Sequence, residues 1–196
     1  MTVGLLGGAF DPPHLGHVAL AREALERFAL DRLLVVVTGE PPHKEVATDA
    51  ETRFALAEAA FGALPGVQLS RRELDRPGPS YTVDTVRWAE ERWGDVVFLI
   101  GADELADFLA WKAPDEILEH ARLGVATRPG FHRERLDPVL TRLRRPERIE
   151  LFEIPAIRVS SSDVRERVRR GEPIDGLVPD EVARLVVERG LYHEGC

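Results

Sequence analysis

The sequence predicts a doubly wound α/β fold, in which a parallel sheet carries helices on both of its faces. Short uninterrupted apolar segments, typical of strands buried on both sides, recur along the 196 residues. Segments with apolar residues at helical spacing separate these strands, and glycine or proline marks several of the junctions. Strands that alternate with helices in this way form a parallel sheet covered on both faces. Ligands of such sheets bind outside the carboxyl ends of the strands.

Six strands are predicted from the apolar segments. The first runs from residue 3 to residue 6 and ends in Gly7-Gly8, and the second is an unbroken leucine and valine segment. The third is short, and the fourth is followed directly by Gly101. The predicted strands are residues 3–6, 33–37, 67–69, 96–100, 123–126 and 149–152.

Helices are predicted at 15–28, 52–61 and 82–93, with a last helix around 182–189. Gly62 and Gly94 follow the second and third, and glycine commonly ends a helix. A further helix is expected to begin after the serines at 160–162. We expect one domain over residues 1–196, with a small C-terminal helical part from about residue 160.

Composition excludes several classes of protein. A net charge of −8 argues against a non-specific nucleic-acid or membrane-surface binder. Cys196 is the only cysteine, so a disulfide within the chain and a cysteine-based metal site are both excluded. Neither a signal peptide nor an apolar run of ~20 residues is present, and we expect a cytoplasmic protein. The oligomeric state stays open.

The segment 7–17 connects the first strand to the first helix. Its glycines allow the backbone to approach a ligand closely, and the free N–H groups of a helix start form a phosphate site. His14 and His17 are three residues apart and share a face of the first turn. They can donate hydrogen bonds to phosphate oxygens and stabilise charge on a transferring phosphoryl group. A metal pair is the alternative, but a third ligand is not evident nearby.

A second segment, Ser160-Ser161-Ser162-Asp163, precedes a helix. Hydroxyl groups followed by an acidic residue are also a strong capping signal, so helix capping is the competing interpretation. Arg165 lies one turn into the helix and can form charge-assisted hydrogen bonds with phosphates.

Both segments carry a family resemblance. Gly8-x-Phe10-Asp11-Pro12 with His14-x-Gly16-His17 resembles the signature of the nucleotidylyltransferase superfamily, and the serine-rich segment resembles its S-S-T-x-[IV]-R motif, with Ser162 in the place of threonine. The resemblance implies that an acceptor phosphate attacks the α-phosphate of Mg-ATP directly, that pyrophosphate leaves, and that His14 and His17 are the catalytic residues. The ATP-binding residues that it implies are Gly7, Gly8, Ala9, Phe10, His14, His17, Gly101, Asp103, Ser160, Ser161 and Arg165.

Further segments at predicted strand ends concern the acceptor: 41–44, 78–85, 98–103, 108–111 and 128–130. In this order they resemble the bacterial nicotinate-nucleotide adenylyltransferases across nearly the whole chain. Each also has a structural alternative, such as a turn, a helix cap or, for Trp111, core packing. The implied acceptor is nicotinate mononucleotide, and the implied acceptor-binding residues are His43, Lys44, Tyr81, Thr82, Trp111 and Arg128.

The resemblance also implies individual roles. His43 and Lys44 would hold the acceptor phosphate, while Gly101 and Asp103 would hold a ribose. Trp111 would stack on the pyridine ring, and N–H groups near Thr82 would meet the nicotinate carboxylate. The direction of Asp84 stays open. No dedicated metal site is expected, since Mg²⁺ would arrive with the triphosphate.

Three other functions are weighed against this one. A pantetheine-phosphate adenylyltransferase would share the two histidines but has no reason to carry Tyr81-Thr82 together with Trp111. A non-catalytic nucleotide sensor would not need His14 and His17 intact. A Rossmann oxidoreductase lacks support because the glycines do not match G-x-G-x-x-G.

Overall fold

A computed structural model describes residues 1–42 and 45–193. Six strands form one parallel sheet in the order β3-β2-β1-β4-β5-β6. Their bounds are β1 Thr2–Gly8, β2 Arg32–Val37, β3 Val67–Ser70, β4 Asp95–Gly101, β5 Arg122–Thr127 and β6 Ile149–Glu153. The predicted fold class is confirmed, and all six predicted strands are present.

The helices include those that the sequence predicts and three that it does not. Their bounds are α1 Leu15–Arg27, α2 Ala50–Phe61, α3 Thr82–Trp93, α4 Ala102–Ala106, α5 Pro114–His120, α6 Asp137–Leu140, α7 Ser161–Arg169 and α8 Asp180–Glu188. The helices α4, α5 and α6 have only 5, 7 and 4 residues, too few to show a repeating apolar face. Single 3₁₀ turns occur at Phe108–Ala110, Arg133–Leu136 and Pro146–Arg148.

Two hydrophobic cores lie on opposite faces of the sheet. Alternate residues of β1 divide between them, because successive side chains of a strand point to opposite faces: Leu6 belongs to one core, and Val3 and Leu5 belong to the other. Residues of α1, α2, α7 and α8 contribute to the first core, and residues of α3, α4, α5 and α6 contribute to the second. The C-terminal helices α7 and α8 therefore pack in the same core as α1 and α2.

The strand order determines where a ligand can bind. Successive crossovers run from β1 to β2 and β3, and the chain then returns to place β4 on the other side of β1. This reversal opens a crevice at the carboxyl ends of β1 and β4, the position at which open α/β sheets bind ligands. The segments 7–17 and 98–111 comprise the ends of these two strands and the residues that follow them. None of the described helices is both long and apolar enough to cross a membrane.

Candidate active site

The two histidines of the first loop lie against each other at the start of α1. Their rings are stacked, with centroids 3.7 Å apart and planes at 20°. The backbone N–H of His14, the N-cap residue of α1, donates to Nδ1 of His17 at 3.2 Å. The ring of Phe10 meets His17 edge to face at 5.3 Å and contacts Phe61 in the core at 5.4 Å. The His pair therefore lies on one face of the first turn, and Phe10 connects it to the hydrophobic core.

The surroundings of both imidazoles favour neutral rings that carry their proton on Nε2. Burial, with a further contribution from the positive charge of Arg128, lowers the pKa of His14 from 6.5 to about 4. Nδ1 of His14 is buried and has no hydrogen-bond partner among the described residues, so a proton there would be unsatisfied. Nδ1 of His17 accepts the His14 N–H, which leaves Nε2 to carry the proton. The hydrogen-bond geometry thus places a proton on Nε2 of each ring.

The serine-rich segment caps α7 and also contacts the first loop. Ser160 is the N-cap: its hydroxyl accepts from the Asp163 N–H at 3.1 Å, and Asp163 accepts from the Ser160 N–H at 3.0 Å. The capping interpretation is therefore confirmed for Ser160. Ser161 donates from Oγ to the carbonyl of Pro12 at 2.8 Å, and Arg165 donates to the carbonyl of Asp11 at 2.7 Å. These two bonds hold the start of α7 against the loop that carries the histidines.

Asp11 connects three distant parts of the chain. Its side chain is 4% exposed. One carboxylate oxygen accepts the Ala47 N–H at 2.5 Å, and the other accepts the hydroxyls of Thr48 and Tyr192, both at 2.8 Å. Burial and the charge of Asp11 raise the pKa of Tyr192, so its hydroxyl remains a donor across the working pH range. The first loop, the segment after residue 44 and the C-terminal segment are thereby held together.

Arg53 of α2 performs a similar role with backbone carbonyls. It is 1% exposed, and burial lowers the pKa of its guanidinium. The guanidinium donates to the carbonyls of Ala9 at 3.2 Å, Thr38 at 2.5 Å and Gly39 at 2.8 Å, and its Nε donates to Thr48 at 3.3 Å. The ends of β1 and β2 are therefore fixed by one buried cation. Sequence reasoning missed it, although Arg53 falls on the same helical face as the buried apolar residues of α2.

A cavity of about 570 Å³ lies beside the start of segment 7–17, at the carboxyl ends of β1 and β4. It is formed by the end of β1, the start of α3 and the segment from α4 to α5. Seven of the predicted site residues line it: Gly7, Gly8, Ala9, Tyr81, Thr82, Asp103 and Trp111. Residues assigned to ATP and residues assigned to the acceptor thus meet in one space.

Other predicted site residues lie elsewhere. Phe10 is buried in the core at 2% exposure. The Gly101 N–H donates to the carboxylate of Glu104 at 2.9 Å. Arg128 is exposed at the end of β5 and does not line the cavity; its charge acts on His14 instead. His43 and Lys44 lie outside the described residues.

Trp111 belongs partly to the core and partly to the cavity wall. Its ring packs against Phe108 at 5.4 Å and against Phe98 at 6.2 Å, and the residue is half-buried. One part of the indole is therefore held by core aromatics while another part borders the cavity. The alternatives of core packing and ligand stacking are compatible in this geometry.

Two acidic side chains near α3 differ in direction. Asp84 forms ion pairs with Arg76 at 3.8 Å and Arg87 at 3.9 Å, and it does not line the cavity. Glu73 does line it, is 7% exposed, and accepts the Thr85 hydroxyl at 2.6 Å. Burial raises the pKa of Glu73 despite that hydrogen bond. Sequence reasoning did not single out Glu73, because a lone acidic residue in a charged loop carries no pattern.

Comparisons with known proteins match this arrangement over nearly the whole chain. A family model described as cytidylyltransferase-like matches residues 5–167. A protein of Moorella thermoacetica named "Probable nicotinate-nucleotide adenylyltransferase" is 42% identical, over 97% of this chain and 91% of that protein. One of the same name from Thermus thermophilus is 40% identical, over 98% of this chain and 100% of its own length.

The chain belongs to the nicotinate-nucleotide adenylyltransferase family. It is therefore an enzyme of the nucleotidyltransferase type, and the resemblance seen in the sequence is confirmed. The three alternative functions, a non-catalytic nucleotide sensor, a Rossmann oxidoreductase and a pantetheine-phosphate adenylyltransferase, are therefore not supported.

Solved structures share the fold at lower identity. Plasmodium falciparum nicotinic acid mononucleotide adenylyltransferase complexed with NaAD has a TM-score of 0.79 and 17% identity, covering 97% of both chains. The same enzyme complexed with APC has a TM-score of 0.74 and 16% identity, covering 97% of this chain and 96% of the other. At these identities the likeness establishes the fold, and the site rests on the residues of this chain.

Proposed function

We propose that this enzyme transfers the adenylyl group of Mg-ATP to nicotinate mononucleotide, giving nicotinate adenine dinucleotide and pyrophosphate in NAD biosynthesis. The observation that carries the proposal is the His14–His17 pair at the start of α1, which does not itself line the cavity but follows, in the same loop, the residues Gly7, Gly8 and Ala9 that do; the cavity lies at the switch point and holds residues of both predicted substrate sets. Full-length similarity to relatives bearing this name supports it.

The proposed reaction is a direct displacement. A phosphate oxygen of the acceptor forms a bond to the α-phosphorus of ATP, while the bond from that phosphorus to the bridging oxygen of the β-phosphate breaks. Pyrophosphate leaves with the electron pair. His14 and His17 would stabilise the charge that grows on the phosphoryl oxygens through their Nε2–H groups. Because the lowered pKa keeps the His14 ring neutral, this ring can do so without exchanging a proton with the substrate.

Mg²⁺ is proposed to arrive as part of the Mg-ATP substrate. Among the described residues, no three His, Cys, Asp or Glu side chains are grouped as metal ligands. The triphosphate itself supplies oxygen ligands of the kind that Mg²⁺ prefers. The bound ion would neutralise charge on the phosphates, while the positive end of the α1 dipole and the guanidinium of Arg165 contribute from the protein.

Arg165 and Ser161 are proposed to contact the triphosphate and also to hold the loop of residues 7–17 in the shape that binds it. Arg165 is half-buried and uses one N–H on the Asp11 carbonyl and another on Ser162 Oγ at 3.2 Å. A guanidinium has five N–H donors, so donors remain for a phosphate. Arg128, which the resemblance assigns to the acceptor, is exposed and does not line the cavity, and its charge acts on His14.

The acceptor is proposed to occupy the cavity with its pyridine ring against Trp111. The start of α3 would face the ring carboxylate, because Thr82 lines the cavity and the first N–H groups of a helix have no partner within it. Asp103, which also lines the cavity, would bind ribose hydroxyls. His43 and Lys44, outside the described residues, remain predicted ligands of the acceptor phosphate.

The same geometry favours the acid over its amide analogue. N–H groups at a helix start are donors only, so they suit both oxygens of a carboxylate but only the single oxygen of an amide. Asp84, the acidic residue in the first turn of α3, pairs with Arg76 and Arg87 and does not line the cavity. A hydrogen bond to a charged group contributes about 1.5–3 kcal/mol, so kcat/KM should favour the acid by roughly tenfold or more.

A panel of acceptors tests the proposal. The protein is incubated with Mg-ATP and, separately, with nicotinate mononucleotide, nicotinamide mononucleotide and pantetheine phosphate, and pyrophosphate is measured. We expect the fastest release with nicotinate mononucleotide. Folded protein that releases no pyrophosphate above background with any of the three would refute the proposal, and a preference for pantetheine phosphate would replace it.

A further inference from the structure

The cavity is lined mainly by acidic and apolar side chains. Its acidic residues are Glu73, Asp103, Glu104 and Asp107. Among the described residues that line it, Lys112 is the only one with a cationic side chain. The whole chain contains just two lysines, Lys44 and Lys112. Four carboxylates therefore line the space that an anionic acceptor enters, and among the described lining residues Lys112 carries the one cationic side chain that, beside the N–H groups at the start of α3, attracts a negative charge.

Lys112 is held at a defined place in this wall. Its Nζ lies 4.0 Å from the centre of the Tyr81 ring, within the range of a cation–π interaction. Tyr81 is the N-cap residue of α3, and the next residue, Thr82, lines the cavity beside it. The neighbouring residue in the chain, Trp111, is fixed against Phe108. The ammonium is thus held next to the helix start and the indole that border the same cavity.

The charge of Lys112 is available to a ligand. The residue is exposed, and among the described residues it makes no ion pair within 4.0 Å. The Tyr81 ring binds one side of the ammonium and does not neutralise its charge. An anionic group that entered between the start of α3 and Trp111 would meet this charge together with the helix N–H groups.

We infer that Lys112 is a specificity-determining residue that binds the ring carboxylate of the acceptor and so discriminates the acid from the amide. The inference rests on the proposed function. An acid acceptor carries the charged group that an ammonium binds, whereas the amide is neutral at that position. Both acceptors carry the same phosphate, which makes the two uses of Lys112 separable: a contact to the phosphate affects both substrates, and a contact to the carboxylate affects the acid alone.

The test compares Lys112→Met with the wild type on nicotinate and nicotinamide mononucleotides at saturating Mg-ATP. Because Lys112 is exposed, we expect the variant to fold, and its thermal midpoint checks this. We expect kcat/KM for the acid to fall by about tenfold to a hundredfold, the factor that one hydrogen bond to a charged group supplies, with the amide changed by less than about threefold. Lys112→Arg should retain part of the preference, because it keeps the charge with a different geometry.

The control is Arg184→Met on α8, which removes one positive charge from a surface ion pair with Glu181. It should leave both substrates unchanged, which separates a local effect from a change in net charge. Equal losses for acid and amide in Lys112→Met would place the ammonium on the shared phosphate and overturn the inference. Unchanged kcat/KM values for both substrates would also overturn it. Wild-type turnover with the acid tests the proposed function separately. If turnover is absent, calorimetric binding of the two mononucleotides to wild type and Lys112→Met measures the same ratio.

Discussion

Replacing Tyr192 with phenylalanine should destabilise the protein by the value of one buried hydrogen bond. The hydroxyl of Tyr192 donates to Asp11 at 2.8 Å, and the tyrosine is 8% exposed. Phenylalanine keeps the ring and removes only the donor. The same Asp11 oxygen retains the Thr48 hydroxyl, and the other oxygen retains the Ala47 N–H. The variant therefore loses one of three bonds to a buried carboxylate.

A hydrogen bond to a charged group contributes about 1.5–3 kcal/mol, and we expect the free energy of unfolding to fall by that amount. For a chain of this size, roughly 2–4 °C is lost per kcal/mol, so the thermal midpoint should fall by about 3–12 °C. Urea titrations measure the change, with an unaltered slope showing that the unfolded state is the same.

The matched control is Tyr81→Phe, the same chemical change at the other tyrosine. The Tyr81 hydroxyl makes no hydrogen bond to the described residues, and its loss should cost less than about 0.5 kcal/mol. Equal stability changes in the two variants would show that the Asp11–Tyr192 contact does not stabilise the fold, and the account of the buried network would then be wrong.

Three further predictions concern the histidines and the cavity wall. His17→Ala should lower kcat by about a hundredfold or more with little change in the KM of ATP, and near wild-type turnover in steady-state assays would make His17 a structural residue. Trp111→Ala should raise the acceptor KM by an amount equivalent to roughly 1–3 kcal/mol of stacking, while the KM of ATP stays constant. Because Trp111 also packs on Phe108, the thermal midpoint of the variant is measured as well. Equal increases in the KM of acceptor and ATP would assign Trp111 to the core. Folding lowers the pKa of His14 from 6.5 to about 4, so the unfolded chain takes up a proton first as the pH falls. The stability that this neutral ring supplies is complete above pH 6.5 and is lost towards pH 4. Urea titrations across this range should show the free energy of unfolding of the wild type falling relative to that of His14→Asn, and a difference that does not change with pH would contradict the lowered pKa.

The elements that the sequence predicts well are those with a long apolar pattern. The predicted strand 33–37 is β2 Arg32–Val37, and the predicted helix 82–93 is α3 Thr82–Trp93. The helices α4 to α6 were not predicted, since a helix of one or two turns shows no period. The carboxyl-end location of the cavity followed from the fold class alone.

Contacts between distant residues are the part that sequence reasoning could not supply. The bond from Tyr192 to Asp11 spans 181 residues, and that from Arg165 to the Asp11 carbonyl spans 154. Neither partner indicates the other, because hydrogen-bond donors and acceptors have no period along the chain. The motif assigned Arg165 to phosphate, and the structure adds a second role in which it braces the loop. The direction of Asp84 was likewise open until its arginine partners were visible.

The fate of each ATP phosphate tests the central claim most directly. Parallel reactions with nicotinate mononucleotide contain ATP labelled either at the α-phosphate or at the γ-phosphate, and the products are separated by chromatography. Adenylyl transfer predicts that the α-label appears in the dinucleotide, that the γ-label appears in pyrophosphate, and that the two products form in equal amounts. A γ-label found on the mononucleotide would reveal phosphoryl transfer instead, and an α-label confined to AMP would reveal hydrolysis; either result would contradict the account.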